Sequence, residues 1–220
     1  DLVTESIHRT NEEGRRITGE IKDIQEQLKE ENAQLEAGQT AYHREASRLE
    51  SLRNITERYD GYGNSIRRVM EQKDRVNGIR GVVADIIHVE KDYEIAVETA
   101  LGGSIQNIVT DNEQTAKAMI EFLKKNRYGR ATFLPLNSIS ARGEFTQRGA
   151  LNEPGAIGLA SSLVTADREY AGLVGYLLGK VLVVDHIDHA IAIAGKYRHS
   201  IRMVTLEGES LSPGGSMTGG

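Results

Sequence analysis

The chain has 220 residues, no cysteine or tryptophan, and a formal net charge of −5. Without cysteine it can hold no disulfide, thiolate metal site or cysteine nucleophile, which fits a reducing compartment such as the cytoplasm. No apolar run approaches the ~20 residues of a membrane-crossing helix and the polar start carries no signal-peptide pattern, so a membrane-free, soluble protein is expected.

The acidity is confined to residues 1–60, which hold 9 Lys or Arg against 14 Asp or Glu, whereas residues 61–220 hold 18 of each. Placing Ile7 at position a of a heptad puts Ile21, Leu28, Leu35, Tyr42 and Leu49 at a, and Ile17, Ile24, Leu52 and Tyr59 at d. That repeat, set among Glu, Lys, Arg and Gln, predicts a coiled-coil helix of roughly 80 Å at ~1.5 Å per residue. Gly14 at a, and Glu31, Gly38 and Glu45 at d, weaken the seam. An arm with no partner helix, beginning on Asp1, reads as a piece of a longer chain. The sequon Asn54-Ile55-Thr56 has no secretory context to give it use.

The grammar changes at Tyr59-Asp60-Gly61, dividing the chain into an arm (1–60) and a compact domain (61–220). Glycine rises from 3 residues to 20 across that boundary, and all three prolines lie beyond it. Turns replace the continuous helix. In chain order the domain offers a helix at 65–75, a mostly buried strand from Val82 to Val89, and a helix at 93–101. A strand at 105–110, a helix at 113–125 and a strand at 131–134 follow. A helix at 167–178, a strand at 181–184, a helix at 187–197 and a strand at 201–206 complete the set. The fold class is a mixed α/β (α+β) domain following a coiled-coil helix.

Two stretches echo each other. Tyr93, Val97, Leu101 and Gly102 share their spacing with Tyr170, Val174, Leu178 and Gly179, and after a strand Asp111, Ala116 and Ala118 repeat as Asp185, Ala190 and Ala192. Each unit reads as a helix closed by glycine, a strand, an Asp suited to capping, and a helix packed through small residues. Two similar halves are expected.

Catalytic constellations are missing. There is no Walker phosphate loop, and Gly61-Tyr62-Gly63 and Gly102-Gly103 lack the rest of a nucleotide fingerprint. Asp185, His186, Asp188 and His189 read as a solvated first helical turn rather than a metal site. No serine sits in a nucleophile elbow, and Asp85, inside an apolar run, is expected to be a buried structural acid. What remains is a basic cluster, Lys124, Lys125, Arg127 and Arg130, which suits either phosphates or the negative end of a helix dipole. The glycine pairs permit turns or close backbone approach.

Taken in order, Gly78-Ile79-Arg80-Gly81-Val82-Val83-Ala84-Asp85, the Tyr93 to Gly103 stretch, Gly129-Arg130-Ala131-Thr132-Phe133-Leu134-Pro135-Leu136, and Val204-Thr205-Leu206-Glu207-Gly208 leading into the glycine-rich end resemble the hinge of bacterial-type structural maintenance of chromosomes (SMC) proteins. Arg80 departs from the histidine often found there. The resemblance implies a non-enzymatic domain of two pseudo-similar halves that forms a ring-like homodimer, with Gly102, Gly103, Gly214 and Gly215 at the seams and Gly158 and Gly219 as weaker candidates. It implies that a returning helix of the same chain pairs with the arm, and that ATP and Mg belong to head domains outside this piece, leaving no cofactor here. DNA contact at a basic surface is implied for the family, and on charge alone Lys124, Lys125, Arg127 and Arg130 are the candidates. Chromosome-associated, cytoplasmic work in condensation and segregation follows. The alternative is a nucleic-acid-binding module on a coiled-coil stalk.

Overall fold

A computed structural model describes residues 1–58 and 62–220. The boundary expected at Tyr59–Gly61 lies outside the described residues. Contacts divide the chain into a unit of residues 1–54 and a unit of residues 55–220.

Helix α1 (Leu2–Arg58) is continuous over 57 residues. Gly14 and Gly38 interrupt neither its course nor its hydrogen bonding, and the Gly14 carbonyl also accepts the Thr18 hydroxyl at 2.7 Å. Arg16 reaches Glu13 and Glu20 on the same face. Such exposed pairs contribute only tenths of a kcal/mol each, so the heptad stripe is the helix's main unused source of burial. Ile7, Ile17, Ile21, Ile24, Leu28, Leu35, Tyr42 and Leu49 stand 44–70% exposed along it. Nothing within residues 1–54 covers them.

The second unit is two variations on one theme. In the first half, β1 (Ile79–Val82) lies antiparallel to β3 (Ile108–Thr110), which runs parallel to β4 (Phe133–Pro135), with α5 (Glu113–Asn126) as the crossover. In the second half, β5 (Ala156–Leu159) lies antiparallel to β7 (Val181–Val184), which runs parallel to β8 (Arg202–Thr205), with α7 (Ile187–Lys196) crossing over. The outer strand of each half carries a register shift ending on glycine, at Ile79/Gly81 and at Ala156/Gly158. The second half then adds β9 (Ser210–Leu211) and β10 (Met217–Thr218), giving the order β10-β9-β8-β7-β5 against β1-β3-β4. A two-stranded ladder of β2 (His88–Val89) and β6 (Val164–Thr165) ties one half to the other.

The largest core cluster is shared between the halves. Val83, Val97, Val109 and Leu134 from the first pack with Leu173, Leu178, Val183 and Val204 from the second. Helices α4 (Glu94–Leu101) and α6 (Ala171–Leu178) supply its echoing positions, Val97 with Leu101 and Val174 with Leu178. Smaller clusters serve each half alone. One gathers Ile66, Val69 and Met70 of α2 (Asn64–Met70) with Ile108 and Leu123; the other gathers Leu182, Ile193 and Met203.

Three sequence expectations are corrected. The run Val82 to Val89 is not one strand: β1 ends at Val82, Val83–Ile86 makes one helical turn, and β2 follows. Val83, Ile86 and Ile87 are buried at i, i+3 and i+4, a helical spacing that a continuous apolar run conceals. Asp85 is consequently exposed on the outer side of that turn. Nor do Asp111 and Asp185 cap the next helices. The caps are Asn112, whose side chain accepts the Thr115 amide at 2.9 Å, and His186, which accepts the Asp188 amide at 3.2 Å. Each Asp sits one residue earlier and bonds a side chain four residues on. Asp111 accepts Thr115 Oγ1 at 2.6 Å, and Asp185 pairs with His189 Nδ1 at 2.7 Å. Both donate their backbone N–H to a glycine carbonyl just before the outer strand, Gly78 and Gly155 respectively. These matched latches give the two halves a common three-dimensional origin point.

Candidate interface and basic groove

The glycine pairs at 102–103 and 214–215, far apart in sequence, are anchored to one short segment. Arg202, the first residue of β8, donates from Nη2 to the Ala100 carbonyl at 2.9 Å, just before α4 ends at Gly102. Three residues earlier, the His199 carbonyl accepts the Gly214 N–H at 2.8 Å, and the His199 ring lies 3.9 Å from where a Gly215 Cβ would stand. Residues 199–202 therefore hold both candidate turns.

The four glycines differ in why they are glycine. Gly102, Gly214 and Gly215 have φ of +52°, +94° and +104°, a backbone region that side chains enter at a cost. Gly103 has no positive φ, and a Cβ added there meets nothing within 4 Å. No conformational or steric demand inside the protomer requires glycine at 103. The weaker candidates are accounted for within the chain: Gly158 closes the register shift of β5, and Gly219 packs against Glu209.

The basic cluster is placed by how α5 stops. Arg127 takes the left-handed conformation at its end (φ +56°), and the Tyr128 N–H returns to the Leu123 carbonyl at 3.0 Å. Helix α2 then grips the outgoing chain. The Ser65 hydroxyl donates to the Arg130 carbonyl at 2.7 Å, and the Arg68 guanidinium lies 4.8 Å over the Tyr128 ring. Lys124, Arg127 and Arg130 thus line one open groove of about 560 Å³ over Ile120, Leu123 and Ala131. A neighbouring groove of about 450 Å³ runs on past Lys124 and Ile120 to Phe133 and Pro135 of β4. Lys125 lines neither, although it is exposed. Three of the four expected cations are brought together; the fourth is not.

The hydrogen bond from Thr115 holds the Asp111 carboxyl below its ordinary range, and that from His189 does the same for Asp185. No group of three or more metal-ligating side chains occurs among the described residues. Arg80 bridges the halves, its Nε 3.6 Å from Glu169 Oε2. Sequence reasoning missed Arg202 and His199 entirely. Their importance lies in backbone carbonyls and a guanidinium reach of about one hundred residues, which leave no periodic signal.

Residues 76–194 match the family model described as the SMC proteins Flexible Hinge Domain. The chromosome partition protein Smc of Lactiplantibacillus plantarum is 42% identical over 179 residues, covering 80% of this chain and 15% of that protein. The Bacillus subtilis protein of the same name is 39% identical over 212 residues, covering 92% and 18%. The chain spans less than a fifth of the length of either relative. Among solved structures, an asymmetric dimer of the Geobacillus stearothermophilus SMC hinge domain matches with a TM-score of 0.71 at 39% identity, over 88% of this chain and 80% of that one.

Proposed function

The chain belongs to the SMC hinge family, and from that premise we propose that residues 61–220 join two long arms by pairing with a second copy of themselves, as the hinge of a chromosome-partition ATPase. The observation that carries this reading is Gly103, a glycine that neither conformation nor crowding in its own protomer explains. A facing subunit in close contact supplies the reason. The open heptad stripe of α1 is proposed to pair with a returning helix of the same chain, and ATP hydrolysis to belong to head domains outside residues 1–220. The work proposed is non-catalytic, in the cytoplasm and on the chromosome.

Sedimentation equilibrium tests this directly. The chain should be a dimer at micromolar concentration, and Gly103→Asp should weaken the dimer by about a hundredfold. A carboxylate trapped unpaired in an interface costs about 3 kcal/mol, and 1.4 kcal/mol is tenfold. Its far-UV spectrum and monomer fold should be unchanged, since the added side chain points into open space. A wild-type chain that stays monomeric defeats the proposal.

A second reading is favoured by the groove that Lys124, Arg127 and Arg130 share, with Lys125 on the neighbouring surface: contact with DNA phosphates. Reversal of Lys124 and Lys125 to Glu should weaken binding to duplex or single-stranded DNA and reduce its salt slope by roughly 2, about one unit for each phosphate no longer neutralised. An unchanged slope removes the patch from consideration.

A further inference from the structure

Just before the outer strand of each half the chain passes the glycine that carries the latch, and the residue ahead of that glycine differs between the halves. In the first half the pair is Asn77-Gly78; in the second it is Pro154-Gly155. Both glycine carbonyls accept an Asp N–H, from Asp111 at 2.8 Å and from Asp185 at 2.9 Å. Only the first pair sets a side-chain amide beside a backbone nitrogen that no neighbouring side chain shields.

The surroundings leave that amide open to attack. Asn77 is exposed, and its side chain makes no hydrogen bond among the described residues. It stands in a turn closed by the Ile79 N–H on the Val76 carbonyl at 3.2 Å, the usual setting of an Asn-Gly pair. The Gly78 N–H is likewise without a partner among the described residues, although the Gly78 carbonyl is held. Two other exposed asparagines, each followed by serine, lack this combination. Ser138, after Asn137, gives its N–H to the Pro135 carbonyl at 3.1 Å, and Asn64 commits its side chain to the Tyr128 carbonyl and to Arg67. Gly78 itself is fixed by crowding. A Cβ there would collide with the Asp111 carboxylate and the Thr115 hydroxyl, so the latch demands the very residue that leaves the amide unshielded.

We infer that Asn77 is a site of spontaneous deamidation, and that its isoaspartate product opens the latch of the first half. The Gly78 nitrogen, giving up its proton to base, bonds to Asn77 Cγ, while the Cγ–Nδ2 bond breaks and ammonia leaves. The resulting five-membered succinimide takes up one water. Opening at Cγ gives aspartate with the chain unchanged; opening at the backbone carbonyl carbon gives isoaspartate, in which the chain runs through Cβ and Cγ and is one carbon longer. That carbon enters directly before a glycine packed without clearance on Asp111 and Thr115, and it carries the Gly78 carbonyl off the Asp111 N–H. Strand β1 then loses its tie to the start of α5, whereas the second half, with Pro154, keeps its own.

The test is to age the whole chain in mildly alkaline buffer at physiological temperature and to follow it by peptide mapping and enzymatic isoaspartate methylation, with Asn77→Ala and Asn77→Asp treated alongside. Residue 77 should convert several-fold faster than Asn64 or Asn137, with isoaspartate exceeding aspartate. In the aged chain the Asp111 N–H should exchange with solvent about tenfold faster, the effect of losing one hydrogen bond, while the Asp185 N–H stays as it was. Aged Asn77→Ala should match its fresh sample, and Asn77→Asp before ageing, which adds the charge without the extra carbon, should keep Asp111 protected. An Asn77 that stays intact while Asn137 converts overturns the site. Isoaspartate at residue 77 with Asp111 exchange unchanged, or equal loss of protection in unaged Asn77→Asp, overturns the opening of the latch by chain lengthening.

Discussion

Gly155→Val should cost the second unit about 3–5 kcal/mol. Gly155 has φ +85°, and a Cβ there would come within 2.4–2.5 Å of the His189 ring and the Asp185 carboxylate. A β-branched residue forced into that backbone region costs about 1–3 kcal/mol. Overpacking against the latch adds about 1–3 kcal/mol more. The damage extends beyond sterics, because the Gly155 carbonyl accepts the Asp185 N–H, so displacing it unseats the start of α7 as well. Urea unfolding followed by circular dichroism at fixed protein concentration measures the loss. Gly195→Ala is the matching control. It lies on the exposed side of α7 with nothing within 4 Å of the new methyl, and should gain about 1 kcal/mol from helix propensity.

Leu178→Ala should lower stability by about 2–5 kcal/mol, the usual loss when a fully buried leucine leaves a cavity. Leu178 is wholly buried in the cluster built from both halves, beside Val97 and Val109 of one and Val183 and Val204 of the other. Because that cluster is common property, the two halves should melt together in one transition rather than two. A loss of about 3 kcal/mol corresponds to a fall in Tm of roughly 6–12 °C for a unit of this size. Scanning calorimetry decides the point: two separated transitions in the variant would show that the shared core does not couple the halves.

Long periodic elements were legible in the sequence. The heptads of α1, the four helices around residues 94–101, 113–126, 171–178 and 187–196, and the strand Val181–Val184 all follow from spacing that local side chains impose. The echo between Tyr93–Gly102 and Tyr170–Gly179 corresponds to two structurally similar halves, with paired register shifts and paired Asp latches. What escaped were segments of two to four residues. β2, β6, β9 and β10 are too short for any period, and exist because a distant strand offers them hydrogen bonds. Val83–Ile86 escaped because a valine-isoleucine run suits strand and buried helix alike. The candidate site was half legible. Glycine pairs and a basic cluster were visible as composition, but their gathering about residues 199–202 and about the end of α5 depends on contacts between parts of the chain that no local pattern encodes.

The unequal size of the two halves has a consequence for stoichiometry. One half stops at three strands and the other runs on to five, so the two sheets end on unlike outer strands, β4 in one and β10 in the other. Objects of that kind are like links with a hook and an eye: they close into a finite set or grow without end, depending only on the rotation between the two fittings. Were copies of this chain to join through those two edges, the core shared by the halves would set that rotation. Its packing would then govern how many copies assemble as well as how firmly each one is folded.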